Sequence, residues 1–169
     1  AICAGVPIYF HGSNKWALRA ECLSSKDVLV DALLGTGASR EVTGAIHEAI
    51  RAINRSGIPT IAVDLPTGIA CDTGEELGES VWAVRTVTFG FPKPFLFQGV
   101  GLEHAGYWTV ADIGYPEEFR HEVTEARVMD CEFVMPLLPD RLRSSHKGDN
   151  GHLLIVAGSA NMPGAAVLS

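Results

Sequence analysis

The chain has 169 residues, of which 47% are hydrophobic and 20% are charged, and its 20 acidic and 13 basic side chains give a net charge of −7. This composition is typical of a globular protein and not of a disordered one. An acidic balance without a stripe of Lys and Arg argues against nucleic acid as a partner. No apolar run approaches the ~20 residues that a bilayer requires, so we expect no membrane association.

The two ends of the sequence bear on how many domains it holds. The chain starts at Ala1, not at a methionine, and it stops at Ser169 inside a run of small residues. Both ends are therefore expected to be cut, so that the chain carries pieces of domains.

The four cysteines lack the close pairs of a zinc site and the spacing of a disulfide framework, which predicts free thiols in a reducing cytoplasm.

The central part of the sequence predicts alternating strands and helices. Residues 28–34 form a nearly continuous aliphatic run, which is typical of a strand buried on both faces. Residues 43–56 carry one apolar stripe at helical spacing, with Thr43 as N-cap and Gly57 after the last turn. Residues 59–65 are the next predicted strand. A strand, a helix and a strand in this order predict a parallel sheet with right-handed crossovers.

Two more strands are predicted downstream, over residues 86–91 and 107–113. Between the predicted strands, we expect a short helix that ends near Val84 and an irregular loop over residues 93–101.

Shorter elements are predicted towards both ends. Residues 6–10 are β-prone and residues 14–22 can form a short helix. After a charged connection, residues 127–129 can form a short strand, and residues 152–157 are a predicted aliphatic strand. A glycine turn and a helix start, at residues 162–166, follow that strand.

Polar residues lie near the carboxyl ends of two predicted strands, where open α/β sheets bind ligands. Asp31 lies inside an apolar run, where a carboxylate must be satisfied by backbone N–H groups, by a partner or by a cation. Asp64 lies just before Pro66, where it can cap a turn or act as a general acid or base. If the two strands are neighbours, Asp31 and Thr67 share one rim, and their oxygen atoms would suit a hard cation.

A glycine-containing turn after the first strand is a second candidate site. Gly35 and Gly37 lie between a predicted strand and a predicted helix, where backbone N–H groups can hold an anion or simply form a tight turn. Arg40 replaces the third glycine of the dinucleotide fingerprint, which argues against a Rossmann reductase. Lys93, soon after a predicted strand, is a candidate contact for a phosphate.

Four short motifs follow one another along the sequence. They are Val-Asp-Ala-Leu-Leu-Gly-Thr-Gly at residues 30–37, Val-Asp-Leu-Pro-Thr-Gly at residues 63–68, Thr-Val-Thr-Phe-Gly at residues 86–90 with Pro-Lys two residues later, and Val-Ala-Asp-Ile-Gly at residues 110–114. Together they resemble the NAD(P)H-hydrate epimerase (YjeF N-terminal) family over about residues 5–116.

A second resemblance covers the C-terminal part of the chain. His-Lys-Gly at residues 146–148 and Gly-Ser at residues 158–159, with the small residues that follow, resemble the opening of the ADP/ATP-dependent NAD(P)H-hydrate dehydratase family. The order of the two resembles the bifunctional nicotinamide-nucleotide repair enzymes.

The resemblance implies an α/β fold in three parts. Residues 1–118 would be an N-terminally truncated epimerase domain, a Rossmann-like three-layer sandwich with a mostly parallel sheet. Residues 119–140 would be a linker, and residues 141–169 would be the first βα unit of a ribokinase-like domain.

The resemblance also implies a function and a set of site residues. The epimerase family interconverts R- and S-NAD(P)HX, the hydrated forms of NAD(P)H, and the dehydratase family removes water from the S form with ADP or ATP. By position in the motifs, Asp31 and Thr67 would bind a potassium ion, and Asp64 would bind the substrate and act as acid or base at the hydrated ring. The remaining substrate-binding residues would be Gly35, Thr36, Gly37, Ala38, Ser39, Arg40 and Glu41.

The resemblance implies a cytoplasmic enzyme that forms a homo-oligomer, at least a dimer. The family's Asn-Asn-Gly-Gly-Asp-Gly loop, which adds a potassium ligand and substrate contacts, is not in this sequence, and neither is the nucleotide site of the dehydratase. We therefore expect this fragment alone to be incomplete. The alternative is a non-catalytic nucleotide-binding or scaffolding module with the same fold.

Overall fold

The computed structural model describes residues 27–116, 118–119, 126–159 and 161–168, together with residues 8, 10 and 24. The predicted strand over residues 6–10 lies mostly outside this described part of the chain, and the predicted helix over residues 14–22 lies wholly outside it. The chain divides into two compact units, Ala1–His121 and Glu122–Ser169. The domain boundaries at residues 118 and 140 stay predictions.

A four-stranded parallel sheet forms the centre of the first unit and confirms the α/β class. Its strands are β1 (Leu29–Asp31), β2 (Thr60–Val63), β3 (Arg85–Phe89) and β4 (Tyr107–Ala111). They pair in sequence order, β1-β2-β3-β4, and every pair is parallel. All four carboxyl ends therefore meet at one edge of the sheet, which is where such sheets bind ligands.

Helix α1 (Gly44–Ser56) connects β1 to β2 and begins within one residue of the predicted start. Thr43 precedes it in an extended conformation, and Gly57 ends it in the left-handed region with φ of 65°, which glycine adopts without steric cost. The helix buries Ile50 completely in a cluster with Val42 and Val81. This apolar contact fixes the helix against the segment that leads into β3.

A second buried cluster closes the connection between β3 and β4. It consists of Leu65, Ile69, Phe95, Leu96 and Ala105, with Trp108 packed against it. The predicted irregular loop over residues 93–101 is wrong, because the chain forms a 3₁₀ turn over Pro94–Phe97 and helix α2 over Gly101–His104. Proline at the first position of the turn fixes φ, and burial of the two residues after it favours compact turns over an open loop.

The short helix predicted to end near Val84 is also wrong. Residues 80–84 form no helical turn, and their one assigned feature is a bend at Val84. The backbone N–H groups of Val81, Ala83 and Val84 donate to carbonyl oxygens in other segments at 2.9 Å, and none is left for helical hydrogen bonds.

The second unit has little regular structure. It contains helix α3 (Cys131–Val134), whose N-cap Asp130 accepts from the Phe133 N–H at 2.8 Å, a 3₁₀ turn over Met135–Leu137, and helix α4 (Gly164–Leu168), which matches the predicted helix start. Within the described residues, none of the helices has the length and apolarity needed to span a membrane.

The strands predicted over residues 127–129 and 152–157 are wrong, because both segments lack strand pairing. The described residues of the second unit include no strand, only an isolated bridge between Ser159 and Met162. A strand requires a hydrogen-bonded neighbour, so the aliphatic run stays exposed. The described residues therefore do not form the first βα unit of a ribokinase-like domain, although the start of its predicted helix is present.

Candidate active site

Asp31 and Thr67 form a buried pair at the carboxyl edge of the sheet. Asp31 is the last residue of β1 and is 1% exposed, and Thr67 is fully buried in the turn after β2. The Thr67 N–H donates to Asp31 Oδ2 at 2.7 Å, and the Thr67 hydroxyl donates to Asp31 Oδ1 at 2.7 Å. The Leu33 N–H adds a longer contact to Oδ1 at 3.4 Å. The two residues thus lie on one rim, as expected for neighbouring strands.

Asp31 and Thr67 have no cationic side chain of the described residues as a partner. In the described part of the chain, no Lys, Arg or His forms an ion pair with Asp31. An ionised carboxylate at this depth with neutral donors only is costly, and a bound monovalent cation would offset that cost. Carboxylate and hydroxyl oxygens are donors that hard cations prefer, so these two side chains are compatible with such a cation.

Asp64 adopts a strained backbone conformation directly after β2. Its φ is 73°, and it is the only residue other than glycine with positive φ in the described part of the chain. Its N–H donates to the Val87 carbonyl of β3 at 2.8 Å, which ties the strained residue to the neighbouring strand. Such strain persists where the surrounding structure holds it, and it is concentrated at functional sites.

The Asp64 carboxylate has one occupied and one available oxygen. Oδ1 accepts from Lys93 Nζ at 2.7 Å, from the Phe89 N–H at 3.1 Å and from the Thr88 hydroxyl at 3.3 Å. Among the described residues, none donates to Oδ2. The side chains of Asp64 and Lys93 are both partly accessible, at 18% and 17%. A carboxylate held at one oxygen and open at the other is suited to exchange a proton with a ligand.

Lys93 is committed to this arrangement. Its ammonium group donates to Asp64 Oδ1, to Thr88 Oγ1 at 2.8 Å and to the Phe89 carbonyl at 3.0 Å. These three contacts use all three ammonium protons. In this arrangement none remains for the phosphate contact considered from the sequence, and the contact to Oδ1 holds the Asp64 carboxylate in place.

The charges of Asp64 and Lys93 act on the thiol of Cys71, which is nevertheless a poor nucleophile. Burial raises the pKa of its thiol, the charge of Asp72 raises it further, and Lys93 opposes the shift. Since the thiolate is the reactive form, the raised pKa of Cys71 lowers its reactivity at neutral pH.

The glycine turn lines a pocket of about 410 Å³ in front of α1. Five of the eight predicted substrate-binding residues line it, together with Leu34, Val42, Thr43 and Ile46; the five are Gly37, Ala38, Ser39, Arg40 and Glu41, and Asp64 is not among them. Gly35 and Thr36 are not in the lining. A Cβ at Gly35 or Gly37 would meet nothing within 4 Å, so the backbone of this turn is open to a ligand.

A polar cluster of the buried Ser80 and His104 with the exposed Glu76 was not identified from the sequence. The Ser80 hydroxyl lies 2.7 Å from Glu76 Oε1 and 2.6 Å from His104 Nδ1. Because the carboxylate only accepts, Ser80 donates to Glu76, and His104 Nδ1 carries the proton that it donates to Ser80. Neither a motif nor a spacing marks these residues, because their proximity arises where the segment before β3 contacts helix α2, which precedes β4.

We predict that the free energy of unfolding falls as the pH is lowered below about 6.5, in part through His104. Burial lowers the pKa of His104, although Glu76 and Glu103 oppose the shift. The unfolded chain then binds more protons than the folded chain, so the stabilisation is complete above the unfolded pKa and declines below it. Urea unfolding at pH 7.5 and pH 5.5 measures this, and His104→Gln should reduce the difference. An unchanged difference in that variant would contradict the assignment.

Comparisons with known proteins show which family the sequence is similar to. The family model described as YjeF-related protein N-terminus matches residues 1–95. The chain is 42% identical over 140 residues to a bifunctional NAD(P)H-hydrate repair enzyme Nnr of Coxiella burnetii, a match covering 82% of this chain and 29% of the relative. It is 43% identical over 166 residues to the protein of that name in Thermofilum pendens, covering 98% and 31%.

A shorter relative is an NAD(P)H-hydrate epimerase of Weissella koreensis, 44% identical over 87 residues that cover 52% of this chain and 39% of the relative. The chain spans about three tenths of the length of the bifunctional relatives. The family model covers more than half of the 169 residues. This chain therefore belongs to the YjeF-related protein N-terminus family.

Proposed function

We propose that the protein that contains this chain interconverts R- and S-NAD(P)HX. The observation that carries the proposal is the arrangement of Asp31, Thr67 and Asp64 at one edge of the sheet, in a chain whose relatives are named NAD(P)H-hydrate epimerase and NAD(P)H-hydrate repair enzyme. A scaffold needs neither a buried aspartate that is hydrogen-bonded to a threonine nor a second aspartate that a lysine holds in a strained backbone conformation.

Asp64 is the proposed acid or base. Hydration leaves a hydroxyl group on one ring carbon, and epimerisation must break and remake a bond at that carbon. Either loss of the hydroxyl or opening of the ring requires proton transfer at the hydroxyl oxygen. Asp64 Oδ2 would accept or return that proton while Lys93, bound to Oδ1, keeps the carboxylate in position.

Asp31 and Thr67 would hold a potassium ion. Its charge would offset the buried carboxylate and attract the anionic dinucleotide. The glycine turn, from Gly35 to Glu41, would bind the substrate through backbone N–H groups close to the start of α1.

The whole protein is proposed to be bifunctional, with a dehydratase that uses ADP or ATP to convert S-NAD(P)HX to NAD(P)H. The bifunctional names of the relatives support this extension. We further propose a cytoplasmic location and assembly into at least a homodimer.

A coupled assay tests the epimerase proposal. The complete protein is added to a mixture of R- and S-NADHX with ADP and an excess of an S-specific dehydratase, and NADH is followed by its absorbance. An epimerase feeds the R form into the reaction, so all NADHX should be converted. Conversion that stops when the S form is exhausted, as with the dehydratase alone, would refute the proposal.

A further inference from the structure

Phe91 and Tyr115 form an aromatic pair at the carboxyl ends of β3 and β4. Their ring centroids are 5.5 Å apart and their planes are inclined by 25°, which is a stacked arrangement. Phe91 is half-buried, and Tyr115 remains 45% exposed. The pair thus presents aromatic surface at the edge of the sheet where ligands bind.

Gly90 creates the space for this pair. Its φ is 71°, and a Cβ there would collide with the Tyr115 ring. The Gly90 N–H donates to the Ala111 carbonyl at 2.8 Å, which joins the ends of β3 and β4 beneath the ring. The tyrosine ring therefore lies directly against the backbone, in a place that only glycine leaves open.

The aromatic pair is next to the Asp64–Lys93 pair along the backbone. The Phe89 N–H donates to Asp64 Oδ1, and the Phe89 carbonyl accepts from both Lys93 Nζ and the Phe91 N–H. One residue thus links the carboxylate to the aromatic rings. The carboxylate and the aromatic pair therefore lie at the same edge of the sheet, connected through Phe89.

We propose that Tyr115, supported by Phe91, is the stacking surface for the reacting ring of the substrate. This inference rests on the proposed function. The hydrated nicotinamide ring keeps a conjugated, flat portion, and stacking on an aromatic face is favourable for such groups. The contact would bind that ring equally well in the substrate and in the transition state, so it makes Tyr115 a substrate-binding residue.

The test measures R-to-S exchange by the complete protein and its Tyr115→Ala variant. We expect KM for R-NADHX to rise about tenfold while kcat changes less than twofold. Tyr115→Phe should keep the wild-type KM, because it keeps the ring. Tyr107→Ala is the matched control, since Tyr107 lies at the opposite end of β4 and is 82% exposed. Melting temperatures establish that each variant is folded.

A second substrate distinguishes a role of Tyr115 at the nicotinamide end of the dinucleotide from a role at the adenine end. The hydrated mononucleotide lacks the adenine half, so a role for Tyr115 at the reacting ring requires the same rise in KM with both substrates. A rise confined to the dinucleotide would assign the aromatic pair to adenine and overturn the inference, as would an unchanged KM in an active Tyr115→Ala variant. A wild-type protein without exchange activity would refute the proposed function itself.

Discussion

Replacing Asp64 by Asn is expected to lower the rate of R-to-S exchange about 10²- to 10⁴-fold, the range over which removal of a general acid or base acts. The variant loses the ability to take up a proton at Oδ2 but retains an oxygen that can accept from Lys93 and from the Phe89 N–H. Initial rates at saturating R-NADHX measure the effect on kcat.

The choice of asparagine follows from the backbone. With φ of 73°, Asp64 occupies the left-handed region, which Asn tolerates and which costs most other residues roughly 1 kcal/mol or more. Asp64→Ala would add this strain to the loss of the carboxylate and would confuse the two. Asp72→Asn is the matched control, because Asp72 is an exposed carboxylate in the loop that follows. Equal rates for Asp64→Asn and the wild type would remove Asp64 from the mechanism.

Replacing Asp31 by Ala is expected to lower the free energy of unfolding by about 3 kcal/mol or more. The substitution leaves the buried N–H of Thr67 without an acceptor and removes a second hydrogen bond, from the Thr67 hydroxyl, to a charged group. Each such loss costs roughly 1–3 kcal/mol. Urea unfolding of the complete protein measures the change, and a loss below 1 kcal/mol would show that the pair contributes little to the fold.

Asp31→Asn separates charge from shape. Its amide can accept from the Thr67 N–H and donate to the Thr67 hydroxyl, so most of the stability should remain. The negative charge is lost, and with it the proposed affinity for potassium. We expect the activity of this variant to be no higher in potassium than in tetramethylammonium salts, whereas Thr67→Ser should keep the wild-type response. A potassium response that persists in Asp31→Asn would contradict the proposed ligand.

The sequence predicts the sheet well because its strands carry strong local signals. The run over residues 28–34, in which Asp31 lies, and the segment before Pro66 are aliphatic and are bounded by glycine or proline, and α1 is framed by Thr43 and Gly57. Parallel pairing then brings Asp31 and Thr67 together, since the ends of neighbouring parallel strands share an edge.

Contacts between distant segments could not be predicted in the same way. The commitment of Lys93 to Asp64 depends on how the chain turns after β3, and the stacking of Phe91 on Tyr115 depends on the space above Gly90. The aliphatic run over residues 152–157 illustrates the opposite error, because β-propensity alone forms no strand without a neighbour.

The most direct test of the account starts from a single epimer. Pure R-NADHX is incubated with the complete protein in potassium buffer without ADP or ATP, and the two epimers are separated by chromatography over time. The account predicts that S-NADHX appears much faster than in a blank without protein, and that the mixture reaches the same final ratio from pure S-NADHX. Appearance of the S form at the rate of the blank would contradict it.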